Sequence, residues 1–314
     1  MSKTETVKRP KINRAVIDIG TNSTRMLVFR EDRKGQLFRV NKSVRYTRMG
    51  QGVNQTGKLH PDAIKRNLEA LEEFKGIASD YDVAEMRVFG TSALRDAEDS
   101  DVFVKLAKEN LGIDVEIISG NEEAELGFLG VSQCFNERIL IFDIGGGSTE
   151  LICGEGNDLK KMMSLNIGCV RSTEMYIQND PPTADELAEM NKAVIQQLKA
   201  ALSGYEGFKP YTLVGIGGTA TTISTIQQKL KIYNSEKVHQ SRITKTDLEK
   251  ILEDLSSKTV EERSAIVGLE AKRADIIIAG ASILNAILEC SGESGFTVCD
   301  FDNLEGAAYR YFLS

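Results

Sequence analysis

The sequence predicts an α/β protein built from two similar halves that flank a cleft. Three observations carry this expectation. Residues 15–30, AVIDIGTNSTRMLVFR, and residues 140–155, LIFDIGGGSTELICGE, align at a constant offset of 125. Asp18 matches Asp143, Ile19 matches Ile144, Gly20 matches Gly145, Ser23 matches Ser148 and Thr24 matches Thr149. In each copy an apolar run enters a Gly/Ser/Thr turn and a second apolar run leaves it, which is a β-hairpin with an Asp near the end of its first strand. Finally, strand and helix patterns alternate after each copy, and 314 residues suit two domains of ordinary size.

Taken in order, the first hairpin is followed by a strand pattern at Gln36–Tyr46. Pro61 then opens a helix whose Ile64, Leu68, Leu71 and Ile77 share one face. Met86–Phe89 reads as a short buried strand, Asp101–Leu111 as a helix, and Gly112–Ile118 as a strand with Ile113, Val115 and Ile117 alternating. This order suits a mixed sheet with right-handed crossovers. In the second half, strands fall at Ile139–Ile144, Thr149–Gly154 and Lys161–Ile167, followed by a helix at Ala184–Leu202 and a strand at Tyr211–Ile216. Helices are expected from Thr219, from Lys245 and over Lys272–Glu289. A last strand, Phe296–Cys299, precedes a terminal helix, Leu304–Phe312. The boundary is expected near residues 125–136, dividing residues 1–127 from 128–302, with the closing helix, 303–314, a candidate to rejoin the first half.

Hydrophobic residues make up 41% and charged residues 27%, an ordinary globular mixture. The longest apolar stretch, Ile276–Leu288, is interrupted by Gly280, Ser282 and Asn285, and is shorter than the ~20 residues that span a bilayer. The opening MSKTETVKRPKINR has no apolar core of a secretion signal. No membrane association and a cytoplasmic location are therefore expected. The net charge of −7 argues against a nucleic-acid binder. Five scattered cysteines form no Cys-x-x-Cys pair, so reduced thiols are expected, and His60 and His239 lack neighbouring metal ligands in the sequence. Chemistry without histidine follows.

In the paired hairpin turns, backbone N–H groups and small hydroxyls can converge on phosphate oxygens, and an Asp at the strand end can hold a hydrated Mg²⁺. GIGGTATT, Gly215–Thr222, is a third anion-friendly turn, opening a helix after a strand. No GxxxxGK[ST] is present, which excludes a P-loop enzyme. In ISGNEEAELGF, Ile118–Phe128, Ser119 or Asn121 caps a helix opening with Glu122 and Glu123. Acidic residues there are explained equally by the helix dipole and by a general base at the cleft. TSALRDAEDS places Thr91, Ser92 and Arg95 at a strand's C-terminal end, where ligands bind in α/β sheets. Arg95 can fork onto a phosphate or pair with Asp96 or Glu98. Arg39, Lys42, Arg45 and Arg48 read mainly as a solvated face and secondarily as the lining of a polyanion channel. Arg171 and Arg273 sit beside helix starts with the same two readings.

AVIDIGTNSTRML, TRMGQGV, GTSALRDA, EIISGNEEAELGF, FDIGGGSTEL, IGCVRSTE, GIGGTATT and KRADIIIAGASIL, in this order along nearly the whole chain, resemble the exopolyphosphatase / guanosine pentaphosphate phosphohydrolase family. The resemblance implies two ribonuclease-H-like domains of the actin/Hsp70/sugar-kinase superfamily flanking an interdomain cleft. It also implies Mg²⁺-dependent release of terminal orthophosphate from inorganic polyphosphate or guanosine pentaphosphate, with polyphosphate or guanosine penta/tetraphosphate as the bound partner, and a homodimer. Residue by residue, it implies Glu122 as catalytic base, with Asp143 and Glu150 as Mg²⁺-associated carboxylates. Asn22, Ser23, Thr91, Arg95, Gly145, Gly146, Gly147, Ser148, Gly217, Gly218 and Thr219 are implied as phosphate contacts, and Arg25 and Arg273 as basic residues toward the rest of the substrate. The chain departs from the family in reading FDNLEGAAY, with Leu304 where an Arg commonly precedes the Glu-Gly pair. It ends at Ser314 without the extra helical domains of longer members, which implies shorter substrates. Two other functions fit the same scaffold: a phosphotransferase from polyphosphate to a nucleotide, and an alarmone-binding regulator.

Overall fold

The structure, a computed structural model, describes residues 12–209 and 211–313. Most of the opening segment read for a secretion signal lies outside the described residues. Strands β1 (Asn13–Ile19), β2 (Thr24–Glu31), β3 (Leu37–Arg45), β4 (Val83–Gly90) and β5 (Glu116–Ile117) form one sheet. Strands β6 (Arg138–Ile144), β7 (Thr149–Glu155), β8 (Asp158–Leu165), β9 (Thr212–Ile216), β10 (Arg242–Thr244) and β11 (Gly295–Val298) form a second. The helices are α1 (Val53–Thr56), α2 (Pro61–Asp80), α3 (Ser92–Asp96), α4 (Ser100–Leu111), α5 (Gly120–Val131), α6 (Cys169–Tyr176) and α7 (Ala184–Leu202). They continue as α8 (Gly217–Gln227), α9 (Ser235–Val238), α10 (Lys245–Ser256), α11 (Val260–Ser264), α12 (Ile277–Ser291) and α13 (Asn303–Ala308).

The sequence repeat is a repeat of topology. The first sheet runs β3-β2-β1-β4-β5, and the second repeats this as β8-β7-β6-β9-β11 with β10 added antiparallel at the edge. In both, the first strand of the hairpin is antiparallel to the second and parallel to the strand after the first crossover. β1 and β6 therefore occupy equivalent central places, and both are almost wholly buried. Strands covered on both faces need continuous apolar runs, which is how AVIDI and LIFDI read.

Helices cover the outer faces. Phe74 of α2 and Phe103 of α4 pack with Ile17, Val28 and Val88 of the first sheet, whereas α7, α8, α10 and α12 pack with Leu140, Phe142 and Leu151 of the second. The inner faces share two helices. Ala124, Phe128 and Val131 of α5 lie on Ile139, Ile141 and Ile152 of the second sheet. Leu304, Ala307 and Ala308 of α13 lie on Val16, Leu27 and Phe29 of the first, joined by Leu126 of α5. The helices cross at glycines: a methyl on Gly306 would come within 2.6 Å of the Leu126 carbonyl carbon. The C-terminal segment thus packs against the sheet of the N-terminal half.

Four local outcomes differ from the sequence expectation. The strand expected at 112–118 is reduced to Glu116–Ile117, because α4 ends at Gly112 in a left-handed cap (φ 69°) and the chain must first leave that turn. The helix expected from Lys272 begins at Ile277, after a 3₁₀ turn at Ala271–Arg273. The last helix begins at Asn303 and widens into a π turn at Tyr309–Leu313, where Phe312 packs on Phe29 with ring centroids 5.6 Å apart. The expected boundary between residues 127 and 128 falls inside α5.

Candidate active site

Parallel pairing brings four strand ends to one place. Ile19 of β1 lies beside Gly90 of β4, and Asp143 of β6 beside Ile216 of β9. The segments that follow them, Gly20–Ser23, Thr91–Ser92, Gly145–Ser148 and Gly217–Gly218, all line one cavity of about 660 Å³. The two hairpin turns close identically: Gly20 N–H donates to Ser23 C=O at 3.0 Å, and Gly145 N–H to Ser148 C=O at 2.9 Å. They face each other closely, since a methyl on Gly146 would stand 2.7 Å from Thr21 Cβ. α8 opens at Gly217 (φ 73°), whose glycine is required because a Cβ there would overlap the Asp143 carboxylate. Its first N–H groups have no intrahelical partner, so a third set of donors meets the cavity.

The duplicated hairpins carry opposite electrostatics at one matched position. Residue 25 of the first copy corresponds to residue 150 of the second. In β1–β2, Asp18 lies directly across from Arg25 and is ion-paired with it. In β6–β7, Asp143 lies directly across from Glu150. Cross-strand neighbours of like charge repel. Burial, and next the Glu150 charge, push Asp143 up to about 8. Burial likewise raises Glu150, whose Oε1 accepts from the Ser164 hydroxyl at 2.7 Å. Burial also raises Asp18, whose Oδ1 is buried without a hydrogen-bond partner, as is the Nδ2 of Asn22 on the same cavity. This carboxylate group is short of positive charge and offers only hard oxygen donors, a set that fits a divalent cation such as Mg²⁺.

Glu122 and Glu123 separate sharply. Ser119 caps α5 in a capping box, and Glu122, three residues on, turns back to it. The Glu122 carboxylate accepts from the Ser119 backbone N–H at 2.8 Å and from its hydroxyl at 2.9 Å, which holds it below the usual carboxylate range. It does not line the cavity. One position on, Glu123 is buried and does line it, with Oε2 3.1 Å from Arg95 Nη1. Burial, then the Glu150 charge, raise Glu123 well above its ordinary value against the pull of Arg95. The geometry therefore separates Glu122 from the cleft and puts its neighbour there, for a local reason: the capping box fixes the helix phase.

Asn22, Ser23, Arg25, Thr91, Gly145, Gly146, Gly147, Ser148, Gly217, Gly218, Arg273 and Asp143 all reach the cavity wall. Arg95, Thr219 and Glu150 stand behind it. Arg95 bridges Glu123 and the Ile118 carbonyl, and the Thr219 hydroxyl donates to the Ile144 carbonyl at 3.0 Å. Arg171, which has two open readings in the sequence, is tied to Asp96 and to the Gly147 carbonyl. Arg39 and Lys42, read mainly as a solvated face, instead line the cavity and meet acidic residues some 260 positions away: Arg39 pairs with Asp300 at 2.6 Å and Glu305 at 2.8 Å, and Lys42 with Glu305 at 3.2 Å. Asp302, which caps α13, also takes Arg25 at 2.6 Å. Leu304, at the position of the missing Arg, is wholly buried.

A model of the Ppx/GppA phosphatase family matches residues 27–314. An exopolyphosphatase 2 of Mycobacterium tuberculosis is 34% identical over 94% of this chain and 97% of its own length. A bifunctional 3-dehydroquinate synthase/phosphatase of Fusobacterium nucleatum is 36% identical over 94% of this chain, which spans only 46% of that protein. A guanosine-5'-triphosphate,3'-diphosphate pyrophosphatase of Photobacterium profundum is 31% identical, with 58% of its length covered. Among solved structures, the Ppx/GppA member from Aquifex aeolicus superposes with a TM-score of 0.80 at 31% identity, covering 97% of this chain and 98% of that one.

Proposed function

The chain belongs to the Ppx/GppA phosphatase family, and from that premise we propose that it hydrolyses the terminal phosphoanhydride of inorganic polyphosphate or guanosine pentaphosphate with Glu123 as general base. The observation that carries this reading is the buried Glu123 carboxylate, steadied by Arg95, on the wall between the two facing Gly/Ser turns. The terminal phosphoryl group sits against the two facing turns, its oxygens taken by N–H groups of Gly146–Ser148 and Thr21–Ser23, which the turn closures leave free, and by the Asn22 amide that lacks a protein partner. Phosphoryl transfer to water needs an in-line nucleophile and neutralised oxygens more than covalent chemistry. Glu123 orients a water and takes its proton as the water oxygen bonds to the terminal phosphorus and the bridging P–O bond breaks, freeing orthophosphate, and the shortened chain leaves along the wall that carries Arg39, Lys42 and Arg273. Asp143 on the cavity wall, backed by Glu150 directly across from it and with Glu123 and Asp18 close by in charge, would hold Mg²⁺, which when bound supplies the positive charge this cluster lacks.

The same reading takes the two sheets with their helices as two ribonuclease-H-like domains, the last helix returning to the first. Its packing on β1 and β2 supports that assignment. The test is orthophosphate release by the purified protein from long polyphosphate, short polyphosphate and guanosine pentaphosphate, with Mg²⁺ and with a chelator. Release from at least one of them that stops with the chelator is expected. Tight binding without release would leave a regulator, and phosphate appearing on added ADP would leave a transferase.

A further inference from the structure

Behind the basic wall of the cavity, three residues unused by hydrolysis come together from distant parts of the chain. Cys134 follows α5, His239 follows α9 and Cys299 follows β11, and one ligand atom from each lies within 4.8 Å of the others. Cys299 is buried, whereas Cys134 is partly open to solvent. His239 Nδ1 accepts the Asp300 backbone N–H at 3.2 Å, so the neutral ring carries its proton on Nε2. His239 also hydrogen-bonds Cys134. With one ring nitrogen accepting and the other protonated, no lone pair is left for a metal. Dithiol chemistry remains. The Cys299 hydrogen bond first, and His239 and Arg39 after it, bring the Cys134 thiol down to about 6 against the effect of burial. Burial and the neighbouring Cys134 push Cys299 up. The partly open Cys134, hydrogen-bonded by His239, thus stands beside the buried Cys299, the arrangement of an attacking and a resolving cysteine.

We propose that Cys134 and Cys299 form a peroxide-sensitive dithiol that closes to a disulfide and alters the adjoining basic wall of the cavity. The Cys134 thiolate attacks one oxygen of hydrogen peroxide. The O–O bond breaks, leaving sulfenic acid at Cys134 and releasing hydroxide. The Cys299 sulfur then attacks the Cys134 sulfur, the S–S bond forms, the S–O bond breaks, and the departing hydroxide leaves as water with the Cys299 proton. Two electrons pass from the dithiol to the peroxide.

Cys299 is bonded directly to Asp300, so closure to an S–S distance of about 2 Å draws on that residue. Asp300 holds Arg39, and it accepts from the hydroxyls of Tyr233 and Ser235. All four residues line the cavity. Glu123, Asp143 and the hairpin turns lie on other elements. Oxidation therefore acts on substrate binding more than on the chemical step.

The test treats the wild-type protein with graded hydrogen peroxide, alkylates remaining thiols under denaturing conditions and maps the peptides by mass spectrometry. A linked pair containing Cys134 and Cys299 is expected, released by dithiothreitol and missing from Cys134→Ser. In parallel, KM for polyphosphate should rise by up to about tenfold on oxidation, return on reduction, and not respond to peroxide in Cys134→Ser. Three results would overturn the proposal: both thiols alkylated at peroxide levels that oxidise Cys290, a thiol of α12 partly open to solvent like Cys134; Cys134 over-oxidised to sulfinic acid while Cys299 stays alkylatable; or one equivalent of zinc retained after dialysis in wild type but not in Cys134→Ser.

Discussion

Replacing Gly306 by Ala tests whether the crossing of α5 and α13 positions the proposed base. The added methyl would lie 2.6 Å from the Leu126 carbonyl carbon and 3.0 Å from its Cα, where ordinary contact begins near 3.4 Å. These are backbone atoms of the facing helix, so no side chain can turn aside. The gap from 2.6 to 3.4 Å already asks the helices to part by ~0.8 Å, and the Leu126 carbonyl oxygen, closer to the added methyl than its carbon, asks for more. Overpacking of this kind costs up to about 3 kcal/mol, of which helix propensity returns at most ~1 kcal/mol. The net loss is about 2 kcal/mol, or roughly 4 °C in Tm for a chain of this size. Glu123 lies one turn before Leu126 on α5, and a displacement near 1 Å costs up to about 10²-fold in rate. The same exchange at Gly76, exposed in α2 with nothing within 4 Å of the added methyl, should instead stabilise by up to ~1 kcal/mol. Thermal unfolding by circular dichroism and phosphate-release kinetics read both. A Gly306→Ala protein with wild-type Tm and kcat would refute the claim that this crossing sets the site.

Three further outcomes follow from the same structure. Asp143 is raised to about 8, so its folded state binds a proton more tightly than the unfolded chain; without divalent cation, Tm should fall as pH rises from about 4 to 8, and Mg²⁺ should restore more at pH 8 than at pH 5. Asp143→Asn should flatten that pH dependence and remove the Mg²⁺ response, both read by thermal unfolding with and without chelator. Arg95→Gln removes the charge that pulls Glu123 down, so the acidic limb of the kcat/KM profile should move to higher pH, checked by phosphate release across pH 5–9. Gly217→Ala forces a Cβ into the Asp143 carboxylate at a positive φ, and should reduce kcat/KM by about 10²-fold or more in the same assay while the fold, by circular dichroism, persists.

The sequence made the duplicated hairpins legible because identical short-range patterns produce identical local structure: the same turn closes after Asp18 and after Asp143. It also carried the signal that distinguishes Glu122 from Glu123. Ser119 and Glu122 have capping-box spacing, which turns Glu122 back to the helix start and leaves the next residue, about 100° around the helix, to face inward with Ala124 and Gly127. Local pattern could not reveal partners distant in the chain. Arg39 and Lys42 look like a solvated stripe until Asp300, Asp302 and Glu305 are brought beside them, and Cys134, His239 and Cys299 look scattered for the same reason. The opposition between Arg25 and Glu150 was present in the aligned repeats, but it acquires chemical meaning only from strand pairing, which sets each across from an Asp.

The most direct test of the central claim compares Glu123→Gln with Glu122→Gln in Mg²⁺-dependent release of orthophosphate from polyphosphate, with substrate affinity measured alongside. Glu123→Gln should lose about 10²–10⁴-fold in kcat while still binding substrate. Glu122→Gln keeps a side chain able to accept from Ser119, so its kcat should stay within a few-fold of wild type. The reverse pattern, an inactive Glu122→Gln beside an active Glu123→Gln, would contradict the account.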